Sequence, residues 1–154
     1  MKFVPQQIRR DFEKNRNKSS NPEVYYRILR SDFEEYGGFC ELYVEAENGT
    51  IETEQVVLLN DFMDKFKSFI PEILQFINLN LKPFEKLIQP VIDKAVFTID
   101  VIDIPKNRSG YDVVMICGKT YRLLFWKREI AIRVEFQNGR IQSMKRTDNP
   151  ALEN

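Results

Sequence analysis

The sequence of 154 residues contains no histidine and only two cysteines. Without histidine, serine–histidine and cysteine–histidine catalysis are excluded, and so are the usual zinc sites. The cysteines, Cys40 and Cys117, are far apart and form no CxxC motif, so we expect two buried reduced thiols. The glycines are scattered or stand at turns, so there is no glycine-rich phosphate loop. These absences predict a protein that is not an enzyme and that holds neither a metal nor an organic cofactor.

Long apolar segments are also missing. No apolar run approaches the ~20 residues of a membrane span, and the N-terminal segment MKFVPQQIRRDF lacks the apolar core of a secretory signal. We therefore expect a cytoplasmic protein without a membrane partner. Hydrophobic residues make up 43% of the sequence, which is enough for one folded domain over residues 1–154. Within it, residues 1–18 are predicted to form a short basic helix and residues 147–154 a flexible tail.

The chain has no net charge, because 23 lysines and arginines balance 23 acidic residues, but the two signs are separated along the sequence. Residues 19–64 hold two basic and eleven acidic residues, whereas residues 106–146 hold ten basic and three acidic ones. This separation predicts an acidic and a basic surface patch. It also leaves open an association between copies of the chain through opposite patches.

The hydrophobic pattern predicts an α+β fold, in which an antiparallel sheet carries two amphipathic helical segments on one face. Two Asn-Gly pairs, at 48–49 and 138–139, predict tight hairpins. A helical stripe begins near Asn60 and should be kinked or divided at Pro71, and a second begins near Pro83. Strands are predicted over 24–29, 39–47, 50–54, 96–104, 112–117, 121–126, 130–136 and 141–145. The predicted core contains Leu42, Val44, Phe62, Phe66, Phe69, Ile73, Leu87, Val91, Ile132, Val134 and Phe136.

The first predicted hairpin has an acidic face. With Asn48-Gly49 as its loop, Glu45 would stand opposite Glu52. Like charges directly opposite across a pair of strands are destabilising, and a cationic partner would relieve the repulsion. We therefore predict that this face binds a basic protein surface, with Tyr43 as an aromatic anchor. The residues assigned to the face are Glu41, Tyr43, Glu45, Glu47, Glu52 and Glu54.

Two further groups of residues have a chemical interpretation. Asp100 and Asp103 are paired carboxylates that could hold Mg²⁺ or act as acid and base, but on a regular strand they would point to opposite faces. The alternation slips between them, which indicates a bulge. In YRLLFWKREIAIRVEF, cations and aromatics alternate as single-stranded nucleic acid requires, at Arg122, Trp126, Lys127, Arg128 and Arg133. The acidic segment would repel phosphates and argues against that function.

Two segments resemble a group of small bacterial α+β domains of the toxin-immunity type. They are GFCELYVEAENGTIETEQVVLLNDFMDKFKSFIPEIL and GKTYRLLFWKREIAIRVEFQNGRI, and the resemblance covers roughly residues 37–146. The matching positions are Thr53 to Gln55, Tyr121 to Phe125 and Val134 to Ile141. The resemblance implies a non-catalytic immunity protein that binds and neutralises a cognate toxin. The alternative that the residues leave open is a nucleic-acid-binding domain.

Overall fold

The computed structural model describes residues 2–16, 23–46, 49–106 and 110–148. Its helices are α1 (Pro5–Arg16), α2 (Thr53–Leu79), α3 (Pro83–Leu87) and α4 (Gln89–Lys94). Its strands are β1 (Val24–Leu29), β2 (Cys40–Glu45), β3 (Phe97–Ile104), β4 (Val113–Leu123), β5 (Trp126–Gln137) and β6 (Arg140–Arg146). These six strands form one sheet in sequence order. The predicted α+β class is therefore confirmed, and among the described helices none is both long and apolar enough to cross a membrane.

One pair of neighbouring strands in the sheet is parallel. β2 runs parallel to β3, with Glu41 beside Val101, whereas the other neighbouring pairs are antiparallel. The reason is the connection, because α2, α3 and α4 all lie between β2 and β3 and carry the chain back to the starting end of β2. The prediction of a wholly antiparallel sheet was wrong at this pair.

The helix α2 begins seven residues earlier than the sequence predicted. The side-chain oxygen of Gln55 accepts a hydrogen bond from the Glu52 backbone N–H at 2.9 Å, which caps the first turn. Asn60 does not cap a helix, because its amide side chain is bonded to the backbone of Phe3, at 2.8 Å and 2.9 Å. The helix also continues through Pro71 without division.

This early start removes the predicted acidic hairpin. Glu45 stands opposite Val24 of β1, and Glu52 is the N-cap residue of α2, so the predicted pairing of Glu45 with Glu52 was wrong. Gly49 has a positive φ of 74°, but the turn leads into the helix instead of into the predicted strand over 50–54. Glu47 and Asn48 lie outside the described residues.

The second Asn-Gly hairpin is confirmed. Asn138 and Gly139 have φ of 53° and 73°, and Gln137 stands opposite Arg140, so the loop has two residues as a tight turn requires. The strand predicted over 112–117 continues to Leu123 as the long strand β4, whereas the strand predicted over 121–126 was wrong, because the chain turns after Leu123 and Trp126 is the first residue of β5. At the middle of β4, a Cβ on Gly118 would collide with the carbonyl oxygen of Ile130, so the close approach of β5 requires glycine there.

The core lies between the helices and one face of the sheet. Phe66 stacks on Phe33 with ring centroids 5.2 Å apart, and Phe62 meets Phe136 edge-on at 5.0 Å. Of the predicted core residues, Phe69 is partly buried, and the following are buried: Leu42, Val44, Phe62, Phe66, Ile73, Ile132, Val134 and Phe136. Cys40 and Cys117 are buried free thiols, as expected, and burial raises the pKa of Cys40 to about 12.

The prediction that Leu87 and Val91 lie in the core was wrong, because their side chains are 82% and 39% exposed. The segment is not one amphipathic helix but two short ones, which meet at Ile88. The break changes the direction of the chain, so a stripe of helical period does not stay on one face. Ile92 is buried in the core, and Ile88 is partly buried against it.

The two chain ends agree with the predictions in part. The basic N-terminal helix forms over Pro5–Arg16 and buries Ile8 and Phe12. The first residues of the predicted C-terminal tail are held, because Thr147 N–H bonds the Ala131 carbonyl at 2.8 Å and Asp148 lies 2.6 Å from Arg146. Residues 17–18 and 149–154 lie outside the described residues.

Candidate functional site

The face of the sheet that points away from the helices is the candidate site, and we call it the open face. On β2, Cys40, Leu42 and Val44 enter the core, so the residues between them point to the open face. The described helices place their buried side chains in the core on the opposite side. Side chains on β2 and β3 give one half of the open face its acidic character. This acidic half consists of Glu41, Tyr43, Glu45, Asp100 and Asp103.

A β-bulge brings both aspartates to this face. Ile99 stands opposite Cys117 and Val101 opposite Ile116, so Asp100 is the extra residue between two regular pairs. The bulge indicated by the sequence is thus confirmed. Within the described residues no cluster of three or more carboxylate or thiol ligands is close enough to hold a metal ion.

Two tyrosines hold one carboxylate of the acidic half. The hydroxyl groups of Tyr26 and Tyr43 donate to the two carboxylate oxygens of Glu41 at 2.9 Å and 3.2 Å, and their rings lie 5.1 Å apart. The hydrogen bond to Glu41 raises the pKa of Tyr26, and burial followed by the same hydrogen bond raises the pKa of Tyr43. The result is a fixed aromatic pair with a negative charge between its hydroxyl groups.

The aspartates are in a less favourable environment. Burial, and then the negative charge of Glu45, raise the pKa of Asp103 to about 7. One of its carboxylate oxygens, Oδ1, is buried without a hydrogen-bond partner in the described part of the chain. Burial also raises the pKa of Asp100, and the charge of Glu41 adds to the effect. Both carboxylates would be stabilised by a cation placed over this half of the face.

The charges of Arg133 and Lys127 partly offset the raised pKa values of Asp103 and Asp100, respectively. Arg133, on β5, donates to the Glu135 carboxylate at 2.9 Å, and its guanidinium lies 5.6 Å from the ring of Tyr111. Glu135 in turn accepts a hydrogen bond from Ser143 at 3.0 Å. Among the residues that the structure describes, no carboxylate of the acidic half forms a salt bridge with lysine or arginine.

The structure brings together only part of the predicted binding face. Glu41, Tyr43 and Glu45 share the open face, whereas Glu52 and Glu54 lie at the start of α2 and Glu47 is outside the described residues. Sequence reasoning missed Tyr26 as a member of the face and considered Asp103 only as a catalytic candidate. The alternation of side chains along β1 and β3 shows which residues share a face within each strand. It places Tyr26 and Asp103 beside the β2 residues only once both strands are known to flank β2.

The residues proposed for nucleic acid are divided between two places. Arg122 stands opposite Lys127, and Arg128 lies 5.5 Å over the ring of Trp126, all near the β4–β5 turn. Arg133 is five residues further along β5, in its ion pair with Glu135. The structure therefore groups four of the five residues and separates the fifth.

Comparisons of this chain with protein-family models, curated proteins and solved structures give no match. The function is consequently inferred from the geometry and electrostatics of the site.

Proposed function

We propose that this chain is a non-catalytic protein-binding module that binds a cationic surface of a partner protein with the acidic half of its open face. The observation that carries the proposal is the group of four carboxylates, Glu41, Glu45, Asp100 and Asp103, that share this face without a salt bridge in the described residues. Folding places these like charges on one face, and their mutual repulsion destabilises the free protein. A lysine or arginine of the partner would reduce that repulsion, which would favour binding.

Electrostatic attraction of this kind favours both the rate and the selectivity of binding. A concentrated negative surface steers a basic partner toward it and repels acidic competitors. Tyr26 and Tyr43 add the aromatic area that interface hot spots commonly use, and their hydrogen bonds to Glu41 reduce the entropy lost on binding. The face therefore combines long-range attraction with preorganised contact area.

The specific form of the proposal is an immunity protein that neutralises a toxin. A toxin that acts on nucleic acid must carry a cationic groove for phosphates, and an acidic surface of matching size is its natural inhibitor. The resemblance of residues 37–146 to small toxin-immunity domains supports this form. The open face would then cover the toxin's groove and exclude its substrate.

The test compares two charge reversals of the same type. Glu45→Lys changes the acidic half, while Glu72→Lys changes an exposed residue of α2 on the helical side of the sheet. A partner isolated from the native cells should lose at least ~10-fold in affinity for Glu45→Lys and bind Glu72→Lys normally. Binding of the unmodified chain should weaken as salt rises, because both surfaces are charged.

Three results would refute the proposal. One is equal binding of the partner to both variants. Another is a partner without a basic surface. The third is nucleic acid as the bound species, released by substitution of Lys127 and Arg128, which would establish the nucleic-acid alternative instead.

A further inference from the structure

The turn between β4 and β5 exposes three consecutive large apolar side chains. Leu124, Phe125 and Trp126 are 95%, 97% and 67% exposed, and we call them the tip. Single exposed apolar residues are ordinary, but a contiguous group of this kind marks a surface that is covered by something else. The tip projects beyond the end of the sheet, since Leu123 and Trp126 are its last paired residues.

The backbone of the tip is strained at its first residue. Leu124 has φ of 55°, a left-handed conformation that is unfavourable for a leucine. At its other two-residue turn, this chain uses Asn138-Gly139, which adopt positive φ easily. At the tip it carries apolar residues that do not favour positive φ and are not buried in the core. These side chains therefore do not stabilise the fold, and we attribute their role to a contact with another molecule.

Basic side chains surround the base of the tip. Arg122 and Lys127 face each other across the hairpin, and Arg128 lies over the ring of Trp126 at 5.5 Å. Lys127 and Arg128 also line a cleft of about 550 Å³ together with Phe84, which is 54% exposed. One carboxylate, Glu129, follows them on β5. The apolar projection is thus flanked by three cations within two residues, Arg122 before it and Lys127 and Arg128 after it.

We propose that the tip inserts into the interfacial layer of an anionic lipid bilayer, contrary to the expectation from the sequence that the protein has no membrane partner. The convex shape fits a fluid layer that closes around it, and Leu124 at the apex has no ring to stack on a nucleic-acid base. The chain reverses at Leu124 and Phe125, so the backbone extends about one residue, ~3.3 Å, beyond the Leu123–Trp126 pair. The leucine and phenylalanine side chains extend further, toward the boundary between headgroups and acyl chains at a depth of ~5–10 Å. Trp126 would lie at the headgroup level, which tryptophan favours, and the three cations would contact anionic headgroups.

This site shares no residue with the acidic half of the open face, although the charge of Lys127 beside the tip acts to lower the pKa of Asp100. The acidic half is formed by β2 and β3, whereas the tip lies at the end of β4 and β5. A variant of the tip therefore leaves the proposed protein-binding surface unchanged, and the two proposals fail separately.

The test uses Trp126, the single tryptophan of the chain, as the reporter. On mixing with vesicles of phosphatidylcholine containing roughly one third phosphatidylserine, its emission should shift to shorter wavelength, and the protein should sediment with the vesicles. Pure phosphatidylcholine or high salt should reduce binding strongly. Leu124→Ser with Phe125→Ser should weaken sedimentation at least ~10-fold, because each side chain loses its burial in lipid.

The control is Val57→Ser, which removes a 52%-exposed apolar residue of α2 beside Asp112, at the far end of β4. It should bind vesicles as the unmodified chain does. The proposal would be overturned if the variant with Leu124→Ser and Phe125→Ser sedimented with anionic vesicles as strongly as the unmodified chain. It would also be overturned if the unmodified chain sedimented with neither type of vesicle. Quenching of Trp126 by a single-stranded RNA oligonucleotide without a response to vesicles would also overturn it. So would a tip-dependent mass increase in the absence of lipid, since it would identify a second copy as the occupant.

Discussion

Replacing Asp103 by asparagine should stabilise the protein at alkaline pH and change its stability little at acidic pH. Burial of the carboxyl group, and then the charge of Glu45, raise the pKa of Asp103 from 3.8 to about 7 in the folded chain. A pKa that is higher in the folded than in the unfolded state stabilises the fold most at low pH, and this contribution disappears as the pH rises toward 7. Asparagine has nearly the same shape and no charge to bury.

The size of the effect follows from the difference between the two pKa values. Each pKa unit corresponds to about 1.4 kcal/mol, so a rise from 3.8 to about 7 sets an upper limit near 4 kcal/mol. Part of the Asp103 side chain remains exposed, and screening by solvent reduces the expected gain to about 2 kcal/mol. Above the folded pKa, the Asp103→Asn variant should be more stable than the unmodified chain by that amount.

The assay is urea unfolding of both proteins at about pH 3, below the pKa of Asp103 in the unfolded chain, and at about pH 8.5, with the free energy of unfolding compared at each pH. The difference between the proteins should be small at the lower pH and about 2 kcal/mol at the higher one. Glu45→Gln provides a second variant, which should lower the pKa of Asp103 and reduce the difference. A difference that is the same at both pH values would refute the assigned pKa.

Three further substitutions test the fold. Phe66→Ala should cost ~3–5 kcal/mol in thermal unfolding, because Phe66 is 1% exposed and stacks on Phe33; a nearly unchanged melting temperature would show that α2 does not pack on this residue. Gln55→Leu should cost about 3 kcal/mol in urea unfolding, since the amide bonds the backbone on two elements; a loss below about 1 kcal/mol would contradict the capped start of α2. Gly118→Ala should give insoluble protein, or protein destabilised by at least ~3 kcal/mol, because the added methyl group meets the Ile130 carbonyl; a soluble variant of unchanged stability would refute the close approach of β5.

Features that depend on nearby residues were predictable from the sequence. The basic N-terminal segment predicted a helix, which forms as α1, and the slip in alternation between Asp100 and Asp103 predicted the bulge. Asn138-Gly139 predicted the β5–β6 turn, because positive φ is a local property of these residue types. In the site, the alternation of β2 correctly placed Glu41, Tyr43 and Glu45 on one face.

Features decided by distant contacts were not predictable in the same way. The stretch at residues 50–54 alternates as a strand would, but Gln55 is buried where α2 begins and bonds the Glu45 carbonyl at 2.7 Å. Glu52 and Glu54 were misplaced because that contact was unknown. Tyr26 and Asp103 joined the site only through the pairing of β1 and β3 with β2, which the order of residues along the chain does not specify.

The parallel pairing of β2 with β3 has a consequence for the order of folding. Glu41 and Val101 are partners about sixty residues apart, whereas β3 to β6 pair with neighbours that follow closely along the chain. Closing so long a loop is entropically costly and slow compared with forming successive hairpins. We expect β3–β6 to form the folding nucleus and β1–β2 to dock late. The acidic half, which lies on β2 and β3, would then be assembled only in the last step, so that a nascent or partly folded chain would lack the surface that we propose for partner binding.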